Sequence, residues 1–246
     1  MLPLSAATLL GVWERGLKKR PPERALALLE SAFPHSPPEV LAEMSIGRRD
    51  AALLMLREWA FGQAITAVVA CPRCGQRVEM AFTTSSLRTG AGGDVVSAEV
   101  SLAEQGYEVR MRLPNNADLL ACADLDVAEA PKQIFSRCLI AASGKENDHP
   151  ISASELPDEV TRLAIERMAQ ADPQANLETE LCCGACGHAW REVFDIVSFF
   201  WTEIDAWAKR MLREVHTLAS AYGWSEKEIL DLSPLRRHCY LEMAGV

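Results

Sequence analysis

The chain has 246 residues, 49% apolar and 24% charged, and carries 34 acidic against 25 basic side chains for a net charge of −9. That balance suits a globular protein with a buried core, and its sign argues against a duplex nucleic-acid binder, which draws affinity from phosphate neutralisation. No apolar run approaches the roughly 20 residues of a membrane-spanning helix.

The N-terminal Met1–Leu10 is apolar, lacks a basic leader and continues into Trp13-Glu14-Arg15. It reads as the start of a first helix, Ala6 to Lys18, and not as a signal peptide. Pro21-Pro22 opens a second helix from Glu23 to Phe33, and Pro37-Pro38 restarts the chain at Glu39. Ser45-Ile46-Gly47 is expected to break this helix before the next one, Arg48 to Phe61, which Gly62 ends. The two short basic clusters, Lys18-Lys19-Arg20 and Arg236-Arg237, sit beside predicted helix ends, where positive charge is favourable.

Ile65–Ala70 and Arg77–Phe82 read as short strands around Cys71-Pro72-Arg73-Cys74-Gly75, and Thr83 to Gly93 as a loop. Val95–Leu102 and Tyr107–Leu113 alternate as a hairpin turning at Gln105-Gly106. Helices are then expected over Asp118–Leu125, Ala128–Ala142 and Pro157–Gln170, with a polar loop from Ser143 to Ser154. Leu177–Leu181 and Trp190–Phe194 flank a second knuckle, Cys183-Gly184-Ala185-Cys186-Gly187. Asp195 to Tyr222 is one long helix, with Val197, Phe200, Ile204, Ala208, Met211, Val215, Leu218 and Tyr222 along one stripe. Gly223 ends it, Ser225 and Glu228 form a capping box, and Ser233-Pro234 opens a last short helix through Tyr240.

Two C-x-x-C-G knuckles, each between short strands, supply four soft ligands for one tetrahedral zinc: Cys71, Cys74, Cys183 and Cys186. Cys74 and Cys183 are 109 positions apart, so the module carries a large insertion. Loop-closure entropy grows only logarithmically with length, which makes the insertion acceptable. The competing readings are two unrelated pairs of buried thiols, or a redox C-x-x-C. The redox reading needs a helix N-terminus beside a βαβ pattern, which neither knuckle shows. Cys182 has the wrong spacing for the turn, and His188 could reach a metal only by replacing a thiolate. Four thiolates leave no position for water, so the ion would be structural.

The expected fold class is α+β: mostly helical, with a zinc-ribbon-like pair of strand–knuckle–strand units carrying a large insertion. The expected regions are helices over 1–62, the metal module over 63–84 and 175–194, an inserted hairpin and helices over 85–174, and C-terminal helices over 195–246. The eight cysteines lack the density of a secreted disulfide scaffold, which points to the cytoplasm. No nucleotide-binding, zincin or nucleophile-elbow motif is present, so no catalytic residue is assigned. Phe199, Trp201, Trp207 and Trp224 are candidates for a protein-binding surface, and burial of the long helix on two sides within its own domain is the equal alternative.

Several phrases together carry a resemblance. They are Ser45-Ile46-Gly47-Arg48-Arg49-Asp50, Arg112-Leu113-Pro114 with Asp118-Leu119-Leu120, Asp172-Pro173, Phe194-Asp195-Ile196, Leu212-Arg213-Glu214-Val215-His216 and Tyr222-Gly223-Trp224. Over roughly residues 40 to 246 the chain resembles the baseplate hub and hub-assembly-chaperone family of T4-like phages and related contractile injection systems. The resemblance implies a non-enzymatic structural or assembly role, with baseplate or hub proteins as partners and a place in a phage-tail-like particle. The alternative function is a nucleic-acid-binding zinc ribbon, but Arg73, Arg77 and Arg191 on the knuckle strands are offset by Glu79 and Glu192.

Overall fold

The computed structural model describes residues 1–88, 99–144 and 149–245. In chain order the elements are α1 (Ala6–Gly16), α2 (Pro21–Ala32), α3 (Pro38–Ala42), α4 (Ile46–Phe61), β1 (Ala64–Ala70), β2 (Arg77–Thr83), β3 (Val100–Glu104) and β4 (Tyr107–Met111). There follow α5 (Asn116–Ala121), α6 (Ala130–Cys138), β5 (Leu139–Gly144), α7 (Asp158–Ala171), a 3-10 turn (Pro173–Ala175), β6 (Glu178–Cys182), β7 (Ala189–Val193), α8 (Ile196–Tyr222), α9 (Glu226–Leu230) and α10 (Pro234–Met243). The fold mixes helix and strand, helix predominating, with small antiparallel sheets. The chain divides into two compact units, Met1–Pro34 with Val197–Val246, and His35–Ile196.

The first unit is helical. Along α8 the expected stripe is buried from Val197 through Leu218, and Tyr222 at its end is exposed. Leu10 packs with Ala208 and Met211, flanked by Trp13 and Trp207. The Trp13 indole donates to Asp205 Oδ1 at 3.0 Å. A Cβ on Gly16 would overlap the Trp201 indole, so only glycine lets that ring seat. A second cluster joins Val215, Leu218 and Ile229 to Trp224 and Tyr240.

In the second unit β3, β4 and β5 form one antiparallel sheet in that order. Gln105 and Gly106, at φ 51° and 85°, make the tight turn between β3 and β4, because both central residues of such a hairpin need positive φ. Val109, Met111 and Ala142 from the sheet meet Val160, Ala164 and Met168 of α7, with Phe135 and Cys138 of α6 closing the core. The expected helix over Ala128–Ala142 is therefore corrected. It stops at Cys138, and Leu139–Gly144 turns into β5, because pairing with β4 offers this apolar segment a ladder and a buried face together. The helix expected over Asp118–Leu125 is likewise shorter, Asn116–Ala121, capped by the Asn115 side chain. Residues 95–98 of the expected hairpin strand lie outside the described residues.

The break expected at Ser45-Ile46-Gly47 is present but falls slightly earlier: α3 stops at Ala42, and α4 begins at Ile46, not at Arg48. The Ser45 side chain caps the helix by accepting from the Arg48 N–H. The Ile46 N–H reaches the Pro114 carbonyl at 3.0 Å, and the Gly47 N–H donates to Asp172 Oδ2 at 2.9 Å. Arg49 donates to Asp50 Oδ1 at 2.7 Å and to Asn116 Oδ1 at 2.8 Å. Arg49, Asp50, Asn116 and Asp172 are all buried, and these bonds replace water that the groups gave up, except at Asn116 Nδ2, which has no hydrogen-bond partner among the described residues. Beside them Asp118, with no exposed surface, takes Arg112 at 2.5 Å and Arg137 at 2.9 Å. Burial alone would raise the Asp118 carboxyl, but Arg112, the Asn115 N–H and Arg137 outweigh it and hold it below its ordinary value.

Two predictions follow from this junction. A Cβ at Gly47 would overlap the Asp172 carboxylate and lie 3.0 Å from the Ala175 backbone nitrogen. Gly47→Ala should therefore cost about 3 kcal/mol in urea unfolding, from the clash and the displaced bond to a charged acceptor. Burial, opposed by Arg49 and assisted by Asp195 and Asp172, raises the Asp50 pKa from 3.8 to about 6. The folded chain then binds a proton more tightly than the unfolded chain, so stability falls as pH rises from about 4 to 6, by about 3 kcal/mol at most. Asp50→Asn should flatten that slope, as read from denaturation midpoints across the window.

Candidate metal centre

Each knuckle is a reverse turn closed by the same backbone bonds. The Cys71 N–H donates to the Gln76 carbonyl and the Gly75 N–H to the Cys71 carbonyl, both at 2.8 Å. In the second knuckle the Cys183 N–H reaches the His188 carbonyl at 2.9 Å and the Gly187 N–H the Cys183 carbonyl at 2.8 Å. Gly75 and Gly187 sit at φ 74° and 68°, a left-handed conformation that glycine adopts without strain. This is why a glycine follows each second cysteine. Among the described residues the strands feeding the turns pair only with one another, β1 with β2 and β6 with β7. Phe82 and Phe194 meet edge to face at 5.2 Å between the two hairpins.

The turns bring Cys71, Cys74, Cys183 and Cys186 together, with all four sulfurs within 4.8 Å of one another. Cys71 Sγ lies 3.7 Å from Cys186 Sγ, and Cys74 Sγ lies 3.6 Å from Cys183 Sγ. Those separations are too long for disulfides, which need about 2.05 Å. They match the sulfur–sulfur edge of about 3.8 Å in a tetrahedron whose metal–sulfur bonds are about 2.3 Å. Cys71 and Cys183 are buried, Cys186 is half-buried and Cys74 reaches the surface.

Electrostatics at the four thiols favours a cation. N–H groups of Cys186 and Ala185 aimed at the Cys183 sulfur bring its pKa down to about 7. Cys186 accepts from the His188 N–H, which pulls its pKa down, but lost hydration and the thiols of Cys74, Cys183 and Cys71 push it up to about 12. One thiol gives up its proton easily and its neighbour then resists, as crowded like charges do. A divalent ion removes that conflict and displaces the protons. Four sulfurs would fill the tetrahedral shell of such an ion.

Cys182 is exposed at the end of β6, opposite Ala189, and is outside the four-sulfur group. The His188 ring stacks on Trp190 at 6.0 Å and is also outside it. Among the aromatic candidates Trp201 is buried: its ring fills the space above Gly16, under the Arg24 guanidinium at 4.6 Å. Phe199, Trp207 and Trp224 are half-buried. Trp224 stacks on Tyr222 at 4.7 Å and meets Tyr240 edge to face at 4.8 Å. Sequence reasoning missed the polar junction of Arg49, Asp50, Asn116 and Asp172. The available signal was Arg49-Asp50 falling in line with Leu53, Leu54 and Arg57 on the inward face of α4.

Fold and site together define a mixed helical and stranded protein that gathers four thiols, from points more than a hundred residues apart, into a place fit for one metal ion. A family model described as T4 bacteriophage base plate protein matches residues 17–201, three quarters of the chain, and the chain belongs to that family. The match begins just past α1 and takes in α2, which the resemblance read from the sequence did not reach, and it stops within α8. No curated protein and no solved structure matches the chain. Among the described residues no helix is long and apolar enough to cross a membrane.

The four-thiol geometry predicts that Cys74→Ser and Cys186→Ser each lower the metal content of the purified chain and expose it to limited proteolysis. Cys182→Ser should leave both unchanged, as measured by elemental analysis and digestion. A folded, protease-resistant Cys74→Ser protein without metal would count against the site.

Proposed function

We propose that this chain is a non-enzymatic structural or assembly component of the baseplate of a phage-tail-like contractile injection system. We propose further that a structural zinc, held by Cys71, Cys74, Cys183 and Cys186, closes a ribbon-like module with a large insertion. The family match over residues 17–201 carries the first part. The 3.6 and 3.7 Å sulfur separations carry the second, since they suit one tetrahedral ion with an all-thiolate shell. In this reading the protein is made in the cytoplasm and meets other baseplate or hub proteins there. The half-buried Phe199, Trp207 and Trp224 belong to the contact surface, and Trp201 supports it from beneath.

A nucleic-acid role is disfavoured at the knuckles, where Arg191 is engaged by Glu178 and Glu180 at 3.6 and 3.3 Å. That pairing occupies Arg191, whereas Arg73 and Arg77 are exposed at the first knuckle, and what weighs against phosphate there is the net charge of −9.

Deleting the gene should leave few or no complete contractile particles, as counted by electron microscopy, with restoration from a plasmid copy. Mass spectrometry of purified particles then separates a resident component from a departing assembly factor. Particles of normal composition and contraction in the deletion strain would end the proposal.

A further inference from the structure

Charge is divided unevenly between the two units. His35–Ile196 contains 24 acidic and 14 basic residues, whereas Met1–Pro34 with Val197–Val246 contains 10 acidic and 11 basic. The acidic unit carries an open groove of about 690 Å³ between the α5–α6 connection, α6 and the start of α7. Leu125, Phe135 and Leu156 supply the apolar part of a lining that is otherwise polar, and its charged groups are Glu129 and Asp158 against Lys132. Leu125 is 39% exposed, and Val127, between Leu125 and Glu129 in the chain, is 92% exposed. The Asp126 carboxylate accepts from the N–H groups of Ala128 and Glu129 at 2.9 and 3.0 Å, which holds this rim in a defined shape.

The complement is present on the other unit. Leu17, 49% exposed, leads Lys18, Lys19 and Arg20 through the surface turn between α1 and α2. This turn is stiff. Arg24 donates to the Gly16 and Leu17 carbonyls at 3.0 and 3.3 Å, and the Lys19 N–H reaches the Gly16 carbonyl at 3.1 Å. One apolar side chain beside a run of cations, already held in place, can dock with little ordering entropy to lose.

We propose that the Leu17–Arg20 turn of one copy docks in the acidic-rimmed groove between the α5–α6 connection and α7 of a second copy. Leu17 covers the apolar part of the lining, and the cations of the turn face Glu129 and Asp158. Groove-to-groove contact would bring two acidic units together, so the charge division favours head-to-tail contact over the reverse. Head-to-tail contacts close into rings or extend into filaments. This inference does not rest on the metal or on the baseplate reading.

The test uses the full, metal-loaded chain in sedimentation velocity over a range of concentrations and salt. The expected result is self-association that grows with concentration and weakens as salt screens the contact. Lys18→Glu with Lys19→Glu in one variant, and Glu129→Lys in another, should each weaken self-association by about tenfold or more while keeping the native circular dichroism. Mixing the two should restore a complex, because the reversed turn then meets the reversed groove. Three results would overturn the proposal: a monomer at every concentration, variants that associate like the parent chain, or a turn–groove crosslink whose yield does not change on dilution. The last would show that the turn reaches the groove of its own chain.

Discussion

Four sulfurs meeting at one point is the constraint around which the second unit is organised. Two thiolates at 3.7 Å repel by roughly 4 kcal/mol at an effective dielectric constant near 20, and a set of four multiplies that conflict. Yet both knuckles hold their cysteines in the same inward-facing geometry, through matching backbone bonds and matching glycines. Such an arrangement is stable when a cation sits at its centre. It also brings the β1–β2 hairpin to β6–β7 and so returns the chain to its starting point after the intervening sheet and helices.

The insertion between the knuckles has a core of its own, built where α7 and α6 pack on the three-stranded sheet. It is joined to α4 by a polar junction. Gly47 lets the helix start approach Asp172, Arg49 reaches Asn116, and the backbone of Ile46 reaches Pro114. Buried charged groups contribute little net stability when paired and cost several kcal/mol when one partner is removed. Their strength here is directional: each bond fits one placement of α4 against the Pro114–Asn116 turn and the Asp172 turn, and an apolar contact would be less selective. The four-cysteine cluster and the polar junction thus lie in the same unit.

Membership of the base plate family fits a protein whose distinctive residues shape the molecule. The four gathered cysteines could hold a metal ion, and burial pushes the Cys138 thiol up to about 12 beside Asp118, so it stays protonated. The long helix α8 divides its aromatic residues between uses. Phe200 and Trp201 are spent on the interior of the first unit, and Phe199 and Trp207 keep part of their surface outside.

Much of this was legible in the residue order, because the signals were local or chemically narrow. Helical spacing marked the buried stripe of α8, and the Ser225–Glu228 capping box appears as read. Paired C-x-x-C-G turns identified the four thiols that come together, since few other uses of cysteine demand that spacing. What the order of residues could not decide was where competing local preferences would be overruled. Leu139–Ala142 suits a helix until β4 stands beside it, and Gly47 reads as part of a break until Asp172, 125 positions on, accepts its N–H and lets it open α4. Burial of Trp201 likewise depends on Gly16, a residue with no sequence signal of its own. Local pattern is fixed by neighbours within a few residues, whereas burial and partner choice depend on groups that only the folded chain brings within bonding distance.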